Sequence, residues 1–188
     1  MPNVTELCSV PVLGFAAASG TGKTTLLTRL IPALRERGLH CAVIKHSHHD
    51  VEIDRPGKDS VRLREAGAGQ VILASPHRTF WVQEGDGVSE PRLAELLGRL
   101  DSTSLDLILV EGFRSERLPK IEVHRPALGA PLLCVEDPDI IALASDDAVY
   151  AAPANVPVLA LNQPGEVAEF IVSWLQTVAR HNRQTWQQ

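Results

Sequence analysis

The sequence predicts an α/β fold, a mostly parallel β-sheet flanked by helices on both faces. Three observations lead there. Short runs of unbroken apolar residues, as in "VPVLGFAAA" and "LDLILVEG", read as strands covered on both sides. Amphipathic helical patterns fall between such runs, so strand and helix alternate along the chain. The first strand also passes through a glycine-bearing turn, "ASGTGKTT", straight into a helix.

Taken in order, residues 10–18 form the first buried strand. Leu26, Leu27, Leu30, Ile31 and Leu34 then make the apolar stripe of a helix that Gly38 closes. Pro32 removes one rung of its ladder, so a bend is expected there. "CAVIK" is the second strand, and "HSHHDVEIDRPGKD" is a polar loop. A short helix is expected to start near Asp59 as N-cap and stop at Gly67. "QVILAS" and "RTFWVQ" read as strands, with Trp81 expected in the core. "EPRLAELLGRL" reads as a helix with Pro91 near its first turn. "LDLILVEG", "KIEVHR", "IIALAS" and "VPVLAL" supply four more strands. Val167, Phe170, Ile171, Trp174, Leu175 and Val178 recur at helical spacing and predict a long closing helix.

Composition sets the class. A chain of 188 residues with 44% apolar and 22% charged residues suits one well-cored domain, expected over 1–188 with a flexible start at 1–9. The formal charge of 18 − 23 = −5 offers no basic field for nucleic acid or an anionic membrane. Cys8, Cys41 and Cys134 are too scattered for a disulfide framework or thiolate zinc site. No segment reads as a secretory signal or a membrane span, so the expected location is cytoplasmic.

The turn after the first strand carries the chemistry. Gly20 and Gly22 let the backbone curl so that successive N–H groups point inward, and the following helix adds its positive end. Ser19, Gly20, Thr21, Gly22, Lys23, Thr24 and Thr25 form the expected phosphate-binding set, with Lys23 also assigned a catalytic charge and Thr24 a Mg²⁺ ligand. The usual first glycine of this loop is replaced by Ala17, which a negative φ tolerates. These features place the fold among P-loop NTPases.

Glu111, at the end of the most apolar strand, is expected to share the Mg²⁺ with Thr24 and to act in catalysis. The polar loop after "CAVIK" leaves the same sheet edge. Its Asp54 and Asp59 are candidate Mg²⁺ neighbours, and His46, His48, His49 and Asp50 form a candidate ligand or switch loop. A transition-metal site and a solvated polar loop remain alternatives for that segment.

In "FAAASGTGKTTLLTRLIPAL", "IKHSHHD", "RPGKDSVRLREAGA", "LDLILVEGF" and "IIALASD" the chain resembles the molybdopterin-guanine dinucleotide biosynthesis protein B (MobB) family of P-loop GTP-binding proteins. The resemblance runs from about Phe15 to the final helix, and alanine at position 17 agrees with it. It implies a homodimer that binds GTP with Mg²⁺, hydrolyses it slowly, and partners the molybdenum cofactor guanylyltransferase. It also opens a partnership with the molybdopterin molybdenum-insertion protein. No N-K-x-D guanine-reading run is present; Asp146 in "ASDD" is the nearest substitute, with a plain surface-turn role as its alternative and Asn162 the weaker candidate. Arg114 follows "VEGF" where lysine is expected, and keeps the charge.

Three function classes fit: a GTP-binding adaptor with weak GTPase activity, a phosphotransferase or ligase acting on a small cofactor precursor, and a metal-delivery GTPase using the histidine loop. No base or water-positioning glutamine has a recognisable setting, which favours the first.

Overall fold

The computed structural model describes residues 8–47, 51, 54–55, 57–147 and 152–185. The chain divides into two compact units, 1–46 with 92–188, and 47–91. The sequence reading did not separate the second from the first.

The larger unit is built on a six-stranded sheet: β1 (Val12–Ala16), β2 (Cys41–Lys45), β5 (Leu107–Glu111), β6 (Lys120–His124), β7 (Ile140–Ser145) and β8 (Val158–Ala160). Their spatial order is β2-β5-β1-β6-β7-β8, and every pairing is parallel. β1 and β5 lie in the middle and are buried throughout, which explains their unbroken apolar character. With all strands pointing one way, their carboxyl ends share one edge. The turn after β1, Lys45, Glu111 and Asp146 all emerge there.

Helices cover both faces. α1 (Lys23–Glu36) and α4 (Pro164–Thr185) place Leu26, Leu30, Leu34, Val167 and Ile171 against Leu13, Phe15, Leu109 and Ile121. On the opposite face α3 (Leu93–Leu97) sets Leu93 and Leu97 on Val12, Ile108 and Val110. α3 is shorter than the sequence pattern suggested, and Pro91 precedes it rather than occupying its first turn. α1 continues through Pro32 to Glu36.

In the smaller unit α2 (Asp59–Glu65) is followed by β3 (Gln70–Ala74) and β4 (Thr79–Gln83), which pair with each other as an antiparallel hairpin. Lys58 is the N-cap of α2, so Asp59 is its first helical residue and not its cap. Trp81 is 40% exposed and pairs across the hairpin with exposed Ile72; the expectation that it is core is corrected. A two-stranded hairpin cannot bury both of its faces, so Trp81 remains part-exposed.

Candidate functional site

The turn 17–22 runs from β1 to α1 at the sheet's carboxyl edge. Gly22 is the N-cap of α1 with φ 96°, a left-handed conformation that glycine adopts without strain. α1 receives no side-chain cap and has no acidic residue in its first turn, so its N-terminal N–H groups keep their positive end open to a ligand. Phe113 is the one non-glycine residue with positive φ among the described residues, so Ala17 is accommodated without a left-handed backbone. Thr21 is buried and donates its hydroxyl to the Ala18 carbonyl at 2.9 Å, which braces the turn from inside. Ser19, Gly20, Thr24 and Thr25 are exposed.

Lys23 folds back into the turn and donates to the carbonyls of Ala17 and Ala18, both at 3.3 Å. Its ammonium is thus held on the floor of the turn. Burial lowers its pKa, the Glu111 charge opposes that, and Lys45 adds to the lowering. Thr24 donates its hydroxyl to Glu111 Oε1 at 2.9 Å, across 87 positions of sequence. The parallel register makes this contact: Glu111 pairs with Phe15 of β1, so it ends level with the start of the turn. A hydroxyl and a nearly buried carboxylate side by side form the hard oxygen pair that a magnesium ion takes.

Two further cations belong to this edge, and the sequence reading gave neither a role. Lys45, the last residue of β2, pairs in register with Glu111. Its Nζ lies 3.2 Å from Thr24 Oγ1 and 3.4 Å from Glu111 Oε1. Arg125 follows β6; its Nε donates to the Thr21 carbonyl at 3.0 Å, and its Nη1 pairs with the Asp146 carboxylate. Both sit at carboxyl ends of strands next to β1 or β5, and that position in a parallel sheet was the available signal.

Asp146 follows β7 directly and is tied to the turn through Arg125. Asn162 lines a small cleft with Gly22, Thr25, Arg29 and Arg125. Both candidate base-reading residues therefore lie on the α1 side of the turn.

His46 donates its backbone N–H to the Glu111 carbonyl at 2.8 Å, and its ring stacks on Phe113 at 4.8 Å. His48, His49 and Asp50 lie outside the described residues. Asp54 and Asp59 belong to the smaller unit. The Asp54 carboxylate accepts from Ser60 Oγ and the Arg55 N–H, which lower its pKa, and Asp59 pairs with Arg62 at 3.6 Å. Among the described residues no three His, Cys, Asp or Glu side chains gather as a metal cluster, and no helix is long and apolar enough to cross a membrane.

The sequence matches the family model described as molybdopterin guanine dinucleotide synthesis protein B over residues 12–146. It is 48% identical over 170 residues to the molybdopterin-guanine dinucleotide biosynthesis adapter protein of Escherichia coli K12, covering 89% of this chain and 94% of that protein. The protein of the same name from Haemophilus influenzae is 42% identical over 172 residues, covering 88% and 90%. A crystal structure of molybdopterin-guanine biosynthesis protein B superposes with a TM-score of 0.68 at 28% identity, covering 88% of this chain and 99% of that one.

Proposed function

The chain belongs to the molybdopterin guanine dinucleotide synthesis protein B family, and from that premise we propose that it is a GTP-holding adapter of molybdopterin guanine dinucleotide biosynthesis. The observation that carries the nucleotide part is the Thr24–Glu111 contact at 2.9 Å beside a lysine-bearing turn and an open helix end.

In this reading the N–H groups of 19–24 and the Lys23 ammonium bind the phosphates. Thr24 and Glu111 hold Mg²⁺, which when bound neutralises phosphate charge and makes the terminal phosphoryl group more electrophilic. Asp146 accepts hydrogen bonds from the donor edge of guanine, with Asn162 alongside. The Glu111 oxygen bonded to Thr24 serves as a ligand and is not free to abstract a proton from water. Hydrolysis by the chain alone is therefore slow, lacking the acceleration of about 10³–10⁵ that an inserted arginine supplies. A slow GTPase suits a protein that presents GTP to a partner, and the guanylyltransferase that consumes GTP is the partner of choice. We place the protein in the cytoplasm and its working form as a homodimer.

The test is reconstitution. Added at stoichiometric level to a guanylyltransferase, molybdopterin and limiting GTP, the chain is expected to raise the yield of guanine dinucleotide, and Lys23→Ala is expected to remove the increase. Equal yields with and without the chain contradict the adapter reading.

A further inference from the structure

We propose that Lys45 distinguishes a nucleoside triphosphate from a diphosphate at this site, an inference that rests on reading the 17–24 turn as a phosphate cradle. Two lysines reach the same carboxyl edge of the sheet from different strands. Lys23 is committed to the floor of the turn, where it bonds the Ala17 and Ala18 carbonyls. Lys45 comes from β2 on the other side of β5, and its ammonium rests on Thr24 Oγ1 and Glu111 Oε1, at 3.2 and 3.4 Å. These are the two oxygens best suited to a magnesium ion.

A divalent ion and an ammonium cannot share one oxygen pair, because each is a cation within about 4 Å of the other. Metal loading therefore displaces the lysine from that pair. The Lys45 side chain is 52% exposed and flexible, so it can leave, but its backbone is fixed by pairing along β5 and keeps it at the site. Its charge then needs an anion beside the metal and away from the Lys23 floor. The third phosphoryl group of a triphosphate supplies one, and a diphosphate does not. The same ammonium stands in for the metal when magnesium is scarce, since it already neutralises Glu111.

The experiment titrates the full-length protein with fluorescent GDP and a non-hydrolysable fluorescent GTP analogue, each with Mg²⁺ and with EDTA. Lys45→Met is expected to weaken the triphosphate analogue about tenfold or more, as loss of a charge-assisted hydrogen bond does. GDP is expected to change less than threefold. The triphosphate-selective weakening in Lys45→Met is expected to be greater in Mg²⁺ than in EDTA, since only metal loading moves the ammonium off the Thr24–Glu111 pair. Lys45→Arg is expected to restore most triphosphate affinity, which separates loss of charge from damage to the fold. Equal weakening of both nucleotides, or no weakening of either, overturns the role of Lys45 while leaving the cradle standing. Failure of the unaltered protein to bind either nucleotide overturns the cradle reading and this one with it.

Discussion

At the scale of single residues, Gly112 shows how little freedom the site has. A Cβ there would lie 2.6 Å from the His46 Cβ, and its φ of 95° is a conformation few L-residues accept. The next residue, Phe113, is itself at φ 50° and is held there by stacking on His46. Glu111, Gly112, Phe113 and His46 thus form one knot that fixes where the Glu111 carboxylate ends. Gly112→Ala is expected to cost about 1–3 kcal/mol of stability, read by urea denaturation, and to weaken magnesium-dependent nucleotide binding. Unchanged stability together with unchanged binding would show that the knot does not set the site.

The residues of the turn were legible in the sequence because their relationship is local: Gly20, Gly22, Lys23 and Thr24 lie within five positions between a strand and a helix. Glu111 was legible because it breaks the apolar run of its own strand. Lys45 and Arg125 were not, since each depends on which strand stands next to which. The order β2-β5-β1-β6 follows from packing and crossover connections, and no local pattern states it.

At the scale of elements, β6 carries its information on one face. Ile121 and Val123 turn to the apolar core under α1 and α4, while Lys120, Glu122 and His124 alternate with them and are equally buried. Gly14 leaves room for this face, since a Cβ there would stand 3.1 Å from Lys120 Cγ. Lys120 pairs with Asp137 at 3.1 Å, and Glu122 accepts the N–H groups of Leu133 and Cys134 at 2.9 and 2.8 Å. The segment before β7 is thereby pinned to the sheet by charge. Burial, with help from Glu122, pushes the Cys134 thiol up to about 11, so it stays protonated and unreactive at pH 8. Glu122→Ala is expected to cost about 1–3 kcal/mol by stranding the buried Cys134 N–H and the half-buried Leu133 N–H, and to speed alkylation of Cys134 at pH 8. Cys134 labelling as slow as in the unaltered protein would contradict the pinning.

Both hairpin strands and β6 were legible as strands, but the pairing of the hairpin and the exposure of Trp81 were not. β3 and β4 were expected as strands with no pairing given, and only 75–78 separate them. A parallel connection needs a dozen residues or more, so the short spacing was the signal for a hairpin. Exposed Ile72 and Trp81 follow from that pairing. The charged face of "KIEVHR" was hidden for a different reason: alternation in a strand suggests a solvent face, and here the loop before β7 covers it with matching charges.

At the scale of the whole molecule, the parallel sheet brings distant parts of the sequence to one edge, and α1 aims its open end at the same place. The turn, Lys45, Glu111, Arg125 and Asp146 come from five different connections, and each is positioned by a strand packed in the core. In the proposed reading that convergence forms a phosphate-binding edge, and with a net charge of −5 the attraction for an anion has to come from this edge and not from the whole chain. Calorimetry of the purified protein with magnesium and either GTP or ATP probes this edge directly. Heat of binding is expected with GTP, weaker binding with ATP, and loss of the GTP signal in Lys23→Ala. No heat with either nucleotide at millimolar concentration, or the same GTP affinity in Lys23→Ala, would contradict the phosphate-binding reading.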